Sequence, residues 1–455
     1  MEDTIAAIST PVGEGGIAIV RISGPRALAV ADAIFVSTKG LPSTYSSHTI
    51  HFGRITGNHN QTLDEVLLSV MRSPRTYTTE DMIEINCHGG IQLVQSVLSQ
   101  CLRHGARIAE PGEFTKRAFL NGRIDLAQAE AVMDVITAKT ARAQAVAEHA
   151  LEGHLSRKVE TIRQQLLALL VNLEAHIDFP DEDISPTVWK VLENDLIRLI
   201  ADLEQLLATA KEGKILRAGV SITIFGRPNV GKSSLMNALL GEERSIVTPI
   251  PGTTRDTIEE LANIRGIPVR FTDTAGIRKP RGKAEDLGIQ RSHNALRNSN
   301  ISILVLDSSK PLSPTDITLL NRYNDKSVIK VLNKIDLPRK LISRQKLQNA
   351  NAAEVSAVNG QGIESLKDRI EQDLIKTSAP SSFALEVVIN DRHADALRRS
   401  IKELKSTLNE IQSNTSVEII AQQISVGLSI IGEIVGKTTT EDLLNNIFSK
   451  FCIGK

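Results

Sequence analysis

The chain is poor in cysteine and in aromatic residues, and its charge is balanced. Three cysteines in 455 residues, Cys87, Cys101 and Cys452, are too few and odd in number for a disulfide scaffold, and they suit a reducing compartment. Aromatic residues make up 3%, too few for a surface that works mainly by stacking on bases. Lys plus Arg equals Asp plus Glu at 53 each, which excludes a polycation that coats nucleic acid or anionic lipid. No run approaches the roughly 18 uninterrupted apolar residues that a membrane span needs, and the longest candidate is the short Leu166–Leu173. The start, Met1-Glu2-Asp3-Thr4, is acidic and lacks an apolar stretch of signal-peptide length. These features predict a cytoplasmic protein without membrane association, or one in an organelle matrix if a targeting segment has been removed.

What is present changes texture three times. Residues 1–118 mix short apolar runs with glycine: strands are expected at Ile17–Ile22, Val66–Val70 and Met82–Ile85, and a helix at Ile91–Leu102. Heptad spacing then takes over. Val159, Ile162, Leu166, Leu169 and Leu173 form one stripe, and Leu192, Leu196, Leu199, Leu203 and Leu206 a second, with a break at Phe179-Pro180-Asp181. From about 217, strands alternate with helices at Val220–Phe225, Val269–Thr272, Ile301–Leu306 and Val328–Leu332, which implies a mostly parallel sheet covered on both faces. After a linker at Ala379-Pro380-Ser381-Ser382 a third stripe appears: Leu397, Ile401, Leu404, Leu408 and Ile411. The third stripe either joins the first two, making the α/β domain an insertion in a helical bundle, or forms a separate C-terminal hairpin. The insertion gives an α/β domain at 1–118, a helical domain at 119–216 and 379–455, and a P-loop domain at 217–378.

The chemistry concentrates in the third part. Gly226-Arg-Pro-Asn229-Val230-Gly231-Lys232-Ser233-Ser234 follows a strand and opens a helix, the context a phosphate-binding loop requires. Its glycines let backbone N–H groups turn toward phosphates at a helix N-terminus; Lys232 reaches the β- and γ-phosphates, and the Ser233 hydroxyl ligates Mg²⁺. Asp273-Thr274-Ala275-Gly276 ends a strand, where a carboxylate can hold Mg²⁺ through water and the Gly276 N–H can sense the γ-phosphate. Asn333-Lys334-Ile335-Asp336 follows another strand. Asp336 can accept two hydrogen bonds from the N1 and N2 edge of guanine, which adenine cannot offer. Asn333 can brace the loops, and Ser356-Ala357 can close the base pocket through backbone N–H. In this order the pieces specify a GTP-binding domain. Thr248-Pro249-Ile250-Pro251-Gly252-Thr253-Thr254 reads as a switch loop, with Thr254 expected to complete the Mg²⁺ shell. Ile277 stands where many small GTPases place a water-orienting glutamine, so another group must act on the water. By its residues alone, Glu285 is either that group or a solvated helix position. Cys87-His88 with Cys101 and His104 fits no standard zinc spacing.

The GTPase motifs, with Pro251-Gly-Thr-Thr-Arg-Asp256, resemble those of the Era-like GTPases. The ends of the chain narrow the resemblance. Gly13-Glu-Gly-Gly-Ile-Ala-Ile-Val-Arg-Ile-Ser-Gly24, Pro111-Gly-Glu-Phe-Thr-Lys-Arg-Ala-Phe-Leu-Asn121, Asp125-Leu-Ala-Gln-Ala-Glu130 and Phe451-Cys-Ile-Gly-Lys455 resemble blocks of the MnmE (TrmE) family of tRNA modification GTPases. The resemblance implies an N-terminal folate-binding α/β domain that drives homodimerisation, a helical domain, and an inserted Ras-like GTPase domain. It implies a flavoprotein partner, MnmG, in a heterotetramer or larger complex. Together the two install a carboxymethylaminomethyl or aminomethyl group on C5 of the wobble uridine of certain tRNAs. The carbon comes from a tetrahydrofolate derivative (5-formyl or 5,10-methylene), with FAD and NADH brought by the partner. It implies K⁺ at Asn229, Thr248, Ile250 and Thr253; Mg²⁺ at Ser233 and Thr254; catalysis by Glu285 with Lys232; and folate at Arg21, Glu84, Arg123 and Lys455. Arg123 stands where some members have lysine, which keeps the charge but changes the contact geometry. Cys452 is either a reactive thiol near the folate or a small hydrophobe. The competing reading is an Era-like switch in ribosome assembly.

Overall fold

The computed structural model describes residues 3–11, 13–57, 61–178, 186–241, 260–273, 299–323, 328–340, 352–375, 387–413 and 415–455. The expected helix break at 179–181 and the linker at 379–382 lie outside them. Contacts divide the chain into two compact units, Met1–Met133 with Ser429–Lys455, and Asp134–Leu428. Residues 119–133 and 429–455, which periodicity groups with the helical stripes, thus make most of their contacts with the N-terminal fold.

The first unit is built on a seven-stranded sheet in the order β3-β4-β5-β6-β2-β1-β7. Its strands are β1 (Ile5–Ile8), β2 (Gly15–Ser23), β3 (Phe35–Val36), β4 (Thr49–Thr56), β5 (Thr62–Met71), β6 (Met82–Gly89) and β7 (Arg107–Ile108). Pairing is antiparallel except between β1 and β7. Alternation puts Val20, Ile22, Leu68, Val70, Ile83 and Ile85 in one core with α1 (Ala27–Ile34) and α2 (Ile91–Arg103). On the opposite face Phe52 pairs with Leu67, and both are exposed with Ile50 and Val36. The unit also holds α3 (Glu113–Leu120) and α4 (Leu126–Thr137), whose last residues belong to the second unit.

The C-terminal segment closes on this fold. Helix α14 (Glu441–Phe448) starts at Thr440, whose side chain accepts from the Leu443 N–H, and it packs Leu444, Ile447 and Phe448 with Phe451 against Leu126 and Ala129. Behind it, Arg117 is fully buried and paired with Asp3 (2.8 Å), Glu80 (3.1 Å) and Glu113 (3.0 Å). Burial alone would push the Glu113 carboxyl up. Hydrogen bonds from Arg107, the Glu110 N–H and Arg117 overcome this and hold it below its ordinary value. Replacing Arg117 by methionine leaves these carboxylates without their buried cation, and it should cost about 3 kcal/mol or more of stability, read as an earlier unfolding transition in urea. A variant as stable as the wild type would show the network to be dispensable.

The second unit carries the helices α5 (Ala141–Leu151), α6 (His154–Asp178), α7 (Pro186–Ala208), α8 (Ala210–Ala218) and α12 (Asp391–Gln412). The α6 and α7 stripes are buried as expected. On α12, Leu397, Ile401, Leu404 and Ile411 are buried, but Leu408 is only half-buried. Thr407 is buried instead, its hydroxyl returned to the Glu403 carbonyl (3.0 Å). Helix α12 packs on α7, tied by Lys405 to Glu204 (2.6 Å) and Gln412 to Glu193 (3.0 Å). The third stripe therefore joins the second. Helix α13 (Val417–Val435), whose residues from Ser429 on belong to the first unit, is by length and composition apolar enough to cross a membrane, but polar residues interrupt it, so the expectation of no long uninterrupted apolar run stands. It buries Ile420, Ile424, Ile431 and Ile434, leaves Ile419 and Val426 exposed, and carries Glu418, Gln422, Gln423 and Glu433, an amphipathic makeup.

The same unit holds a six-stranded sheet in the order β13-β12-β11-β8-β10-β9. Its strands are β8 (Val220–Phe225), β9 (Glu260–Ile264), β10 (Ile267–Asp273), β11 (Ile301–Asp307), β12 (Val328–Asn333) and β13 (Ala353–Glu354). All pairs are parallel except β9 with β10. Helices α9 (Lys232–Leu240), α10 (Pro314–Arg322) and α11 (Ile363–Ile375) cover it. The β9–β10 turn abuts the helices. Thr140 caps α5 and also donates to the Gly266 carbonyl (2.7 Å), and Arg142 reaches Glu212 of α8 (2.8 Å) and Glu371 of α11 (3.2 Å).

Candidate nucleotide and folate sites

Strand β8 lies between β11 and β10, where the strand order reverses, and a crevice at the carboxyl ends of such strands is where open α/β sheets bind ligands. The loop from Gly226 to Gly231 leaves β8 there. Gly231 has φ +94°, and a Cβ on it would run into the Asn333 amide nitrogen, so only glycine allows the close approach. Lys232 begins α9, and its ammonium donates to the carbonyls of Gly226 (3.1 Å) and Arg227 (2.8 Å), at the loop it is expected to serve. Ser233 and Ser234 follow, exposed in the first turn of α9. Asn229, exposed with φ +62°, accepts from the Lys334 ammonium at its carbonyl (2.8 Å). Val230 is buried. Asp273 ends β10 opposite Ile224 of β8, so its backbone stands beside the loop. The Ser233 hydroxyl, exposed beside the loop, is an oxygen donor of the kind a hard cation such as Mg²⁺ takes.

The base-recognition residues are brought together by hydrogen bonds. The Asn333 amide donates to the Val230 carbonyl (2.9 Å) and accepts from the Ala357 N–H (3.1 Å), bracing the phosphate loop and the β13 loop at once. Asp336 accepts from the Ser356 hydroxyl (2.5 Å), which orients its carboxylate. Lys334 joins Asn229 to Asp307 at the end of β11 (2.7 Å). Burial opposes ionisation of Asp307, but hydrogen bonds from Lys334 and Ser309 hold its carboxyl below the ordinary value.

Two members of this site escaped the sequence reading. The first is Asp307, whose signal was an acidic residue closing an apolar strand at the ligand-binding edge. The second is the pair of Arg227 with buried Asp316 (2.9 Å), which fixes the phosphate loop to the N-terminus of α10. Its signal was the capping box Ser313-Pro-Thr-Asp316. Thr248, Pro249, Ile250, Pro251, Gly252, Thr253, Thr254, Thr274, Ala275, Gly276 and Glu285 lie outside the described residues, as do the side chain of Asp273 and Ile277.

The second site sits in the N-terminal unit. Arg21 on β2 and Glu84 on β6 are opposed across the sheet and paired at 2.8 Å. The docked C-terminal segment brings the Gly454 carbonyl to the Ser9 hydroxyl (3.2 Å) and the Arg21 guanidinium (3.3 Å). Burial and then the Arg21 charge pull the Lys455 ammonium down, while Glu84 and Cys452 push it back up, so these groups share one electrostatic neighbourhood. Arg21 and Arg123 lie over the same Tyr77 ring, 5.7 Å and 4.9 Å from its centroid. All four positions expected for folate are thus gathered around one patch. Cys452 is exposed, which removes the buried-hydrophobe alternative. Cys87 and Cys101 are buried instead, and burial pushes their thiols up to about 11 and about 12.

A family model described as the MnmE helical domain matches residues 126–452, and one described as the GTP-binding protein TrmE N-terminus matches residues 4–123. The chain belongs to the MnmE family. Relatives bearing the name tRNA modification GTPase MnmE include those of Bacillus subtilis strain 168 and Clostridioides difficile strain 630, each 46% identical over 459 residues and covering 100% of both chains. Among solved structures, Era of Aquifex aeolicus bound to GDP and AlF₄⁻ is 27% identical over 40% of this chain and 66% of its own, at a TM-score of 0.25, too slight a likeness to argue from. Like its MnmE relatives, the protein is a tRNA modification GTPase: a P-loop GTP hydrolase whose nucleotide site takes Mg²⁺ with GTP.

Proposed function

We propose that the protein is a K⁺-dependent GTPase which, with the flavoprotein MnmG, modifies C5 of the wobble uridine of certain tRNAs to the carboxymethylaminomethyl or aminomethyl form. The observation that carries this reading is the docking of Phe451-Cys-Ile-Gly-Lys455 beside Arg21 and Glu84, which joins the two ends of the chain in one site. The Glu84 carboxylate, oriented by Arg21, is complementary to the N–H edge of a pterin. Arg123 and Lys455 supply positive charge for the rest of a tetrahydrofolate. That cofactor supplies the one-carbon unit, and FAD and NADH belong to the partner.

In the nucleotide site Lys232 neutralises phosphate charge, Ser233 and Thr254 hold Mg²⁺, Asp336 selects guanine and Glu285 orients the attacking water. Asn229, exposed on the phosphate loop, takes part with Thr248, Ile250 and Thr253 in holding K⁺. That ion supplies the charge which other systems draw from an arginine finger. The exposed apolar face of Ile50, Phe52 and Leu67 supports a homodimer through the N-terminal sheet. The domain division given above and a cytoplasmic location complete the reading.

The test is genetic. A strain lacking the protein should lose the modified wobble uridines from its tRNA when nucleosides are resolved by mass spectrometry. An unchanged nucleoside profile would overturn the assignment.

A further inference from the structure

A cavity of about 510 Å³ opens in the N-terminal unit between the loop after β5 and the end of α3. Its lining includes Arg75, Arg123, His48, Tyr77, Thr76 and Asn121, and no carboxylate lines it. In a chain with 53 acidic and 53 basic residues, a wall with two arginines and no acid departs from the average. The wall is well held: Asn121 donates to the Thr78 carbonyl (2.7 Å), Arg123 to the Tyr77 carbonyl (2.9 Å), and the Thr76 hydroxyl to the Glu80 carbonyl (2.6 Å). Arg75 is exposed and makes no hydrogen bond or ion pair among the described residues. A guanidinium without a protein partner in a cavity without carboxylates is available to pair an anion from outside.

Tyr77 is common to this cavity and to the candidate folate site, because the Arg21 guanidinium that pairs with Glu84 also lies over its ring. We infer that the cavity is a subsite for the poly-γ-glutamyl tail of the folate, with Arg75 pairing a tail carboxylate beyond the first glutamate. The inference rests on the folate reading above and extends it from the one-carbon head to the anionic tail. A free carboxylate on each added glutamate makes the tail a linear polyanion, and an open cavity that holds the tethered Arg123 and the unpaired Arg75 can take such a chain without enclosing it. The cavity volume lies within the roughly 300–1,000 Å³ usual for small-molecule sites.

The experiment is calorimetric binding of 5-formyl-tetrahydrofolate as its monoglutamate and its triglutamate to the full-length protein, its Arg75→Ala variant and its Arg75→Lys variant. In the wild type the triglutamate should bind about tenfold more tightly, with the gain shrinking as salt rises. Arg75→Ala should remove that gain and leave the monoglutamate within about twofold, and Arg75→Lys should restore part of it. If the monoglutamate binds and the triglutamate binds no better, the subsite is overturned while the folate reading stands. If neither binds, the folate reading falls and the subsite with it. If Arg75→Ala leaves both folates unchanged and weakens tRNA binding, the cavity serves a nucleic-acid phosphate and the inference is wrong.

Discussion

Replacing Asp336 by asparagine should lower GTP affinity by about 100-fold or more and shift preference toward xanthosine triphosphate. Guanine presents two donors, N1–H and the exocyclic amine, to the two oxygens of the carboxylate. Asparagine keeps one acceptor and turns a second donor against the amine. A hydrogen bond to a charged group contributes about 1.5–3 kcal/mol, and leaving the amine unmatched adds about 1–3 kcal/mol of desolvation, so the loss is on the order of a hundredfold or more. Xanthine carries a carbonyl where guanine carries the amine, and the new donor then finds an acceptor. The bond from the Ser356 hydroxyl holds the side chain of residue 336 in place for either contact. Direct binding of the two triphosphates to wild type and variant checks this, and unchanged discrimination would show that the base is read elsewhere.

Glu285→Ala should reduce GTP turnover by about 100-fold or more while nucleotide affinity stays within a few-fold. The argument starts from Ile277, an aliphatic residue that cannot orient water by hydrogen bonding. Some other group must place the nucleophile, and that role is proposed for Glu285, which follows Asp273-Thr-Ala-Gly276 in the chain. A group that acts on water contributes in the transition state and little to ground-state binding, so kcat should fall and affinity should not. Stopped-flow binding alongside single-turnover hydrolysis separates the two. Loss of affinity in this variant would make Glu285 a structural residue.

The nucleotide site was legible because its chemistry follows strand ends in sequence order. Gly226–Ser233 and Asn333–Asp336 each come directly after a recognisable strand, Ser356–Ala357 lies just past the short β13, and the fold brings them to one edge. The α6 and α7 stripes were legible for a similar reason, since period and burial coincide. Strand β4 was not. Its sequence alternates, yet Ile50 and Phe52 point away from the core, so alternation alone did not reveal which face was buried. Strands β1, β7 and β9 were too short to stand out. Asp307 and the Arg227–Asp316 pair went unseen because their partners lie far along the chain, and single-sequence patterns report only near neighbours. The site around Arg21 was visible only through its likeness to a family. Nothing local in Phe451–Lys455 says that it will dock on β1 and β2.

The central claim is that the nucleotide is hydrolysed with a monovalent cation held by Asn229 and the switch loop. Steady-state GTP turnover of the full-length protein in K⁺ against Na⁺, at equal ionic strength, tests it most directly. The account predicts turnover about 100-fold faster in K⁺, the scale of one well-placed transition-state charge, and a difference that disappears in Asn229→Ala. Equal rates in the two salts, or a K⁺ preference that survives Asn229→Ala, would contradict it.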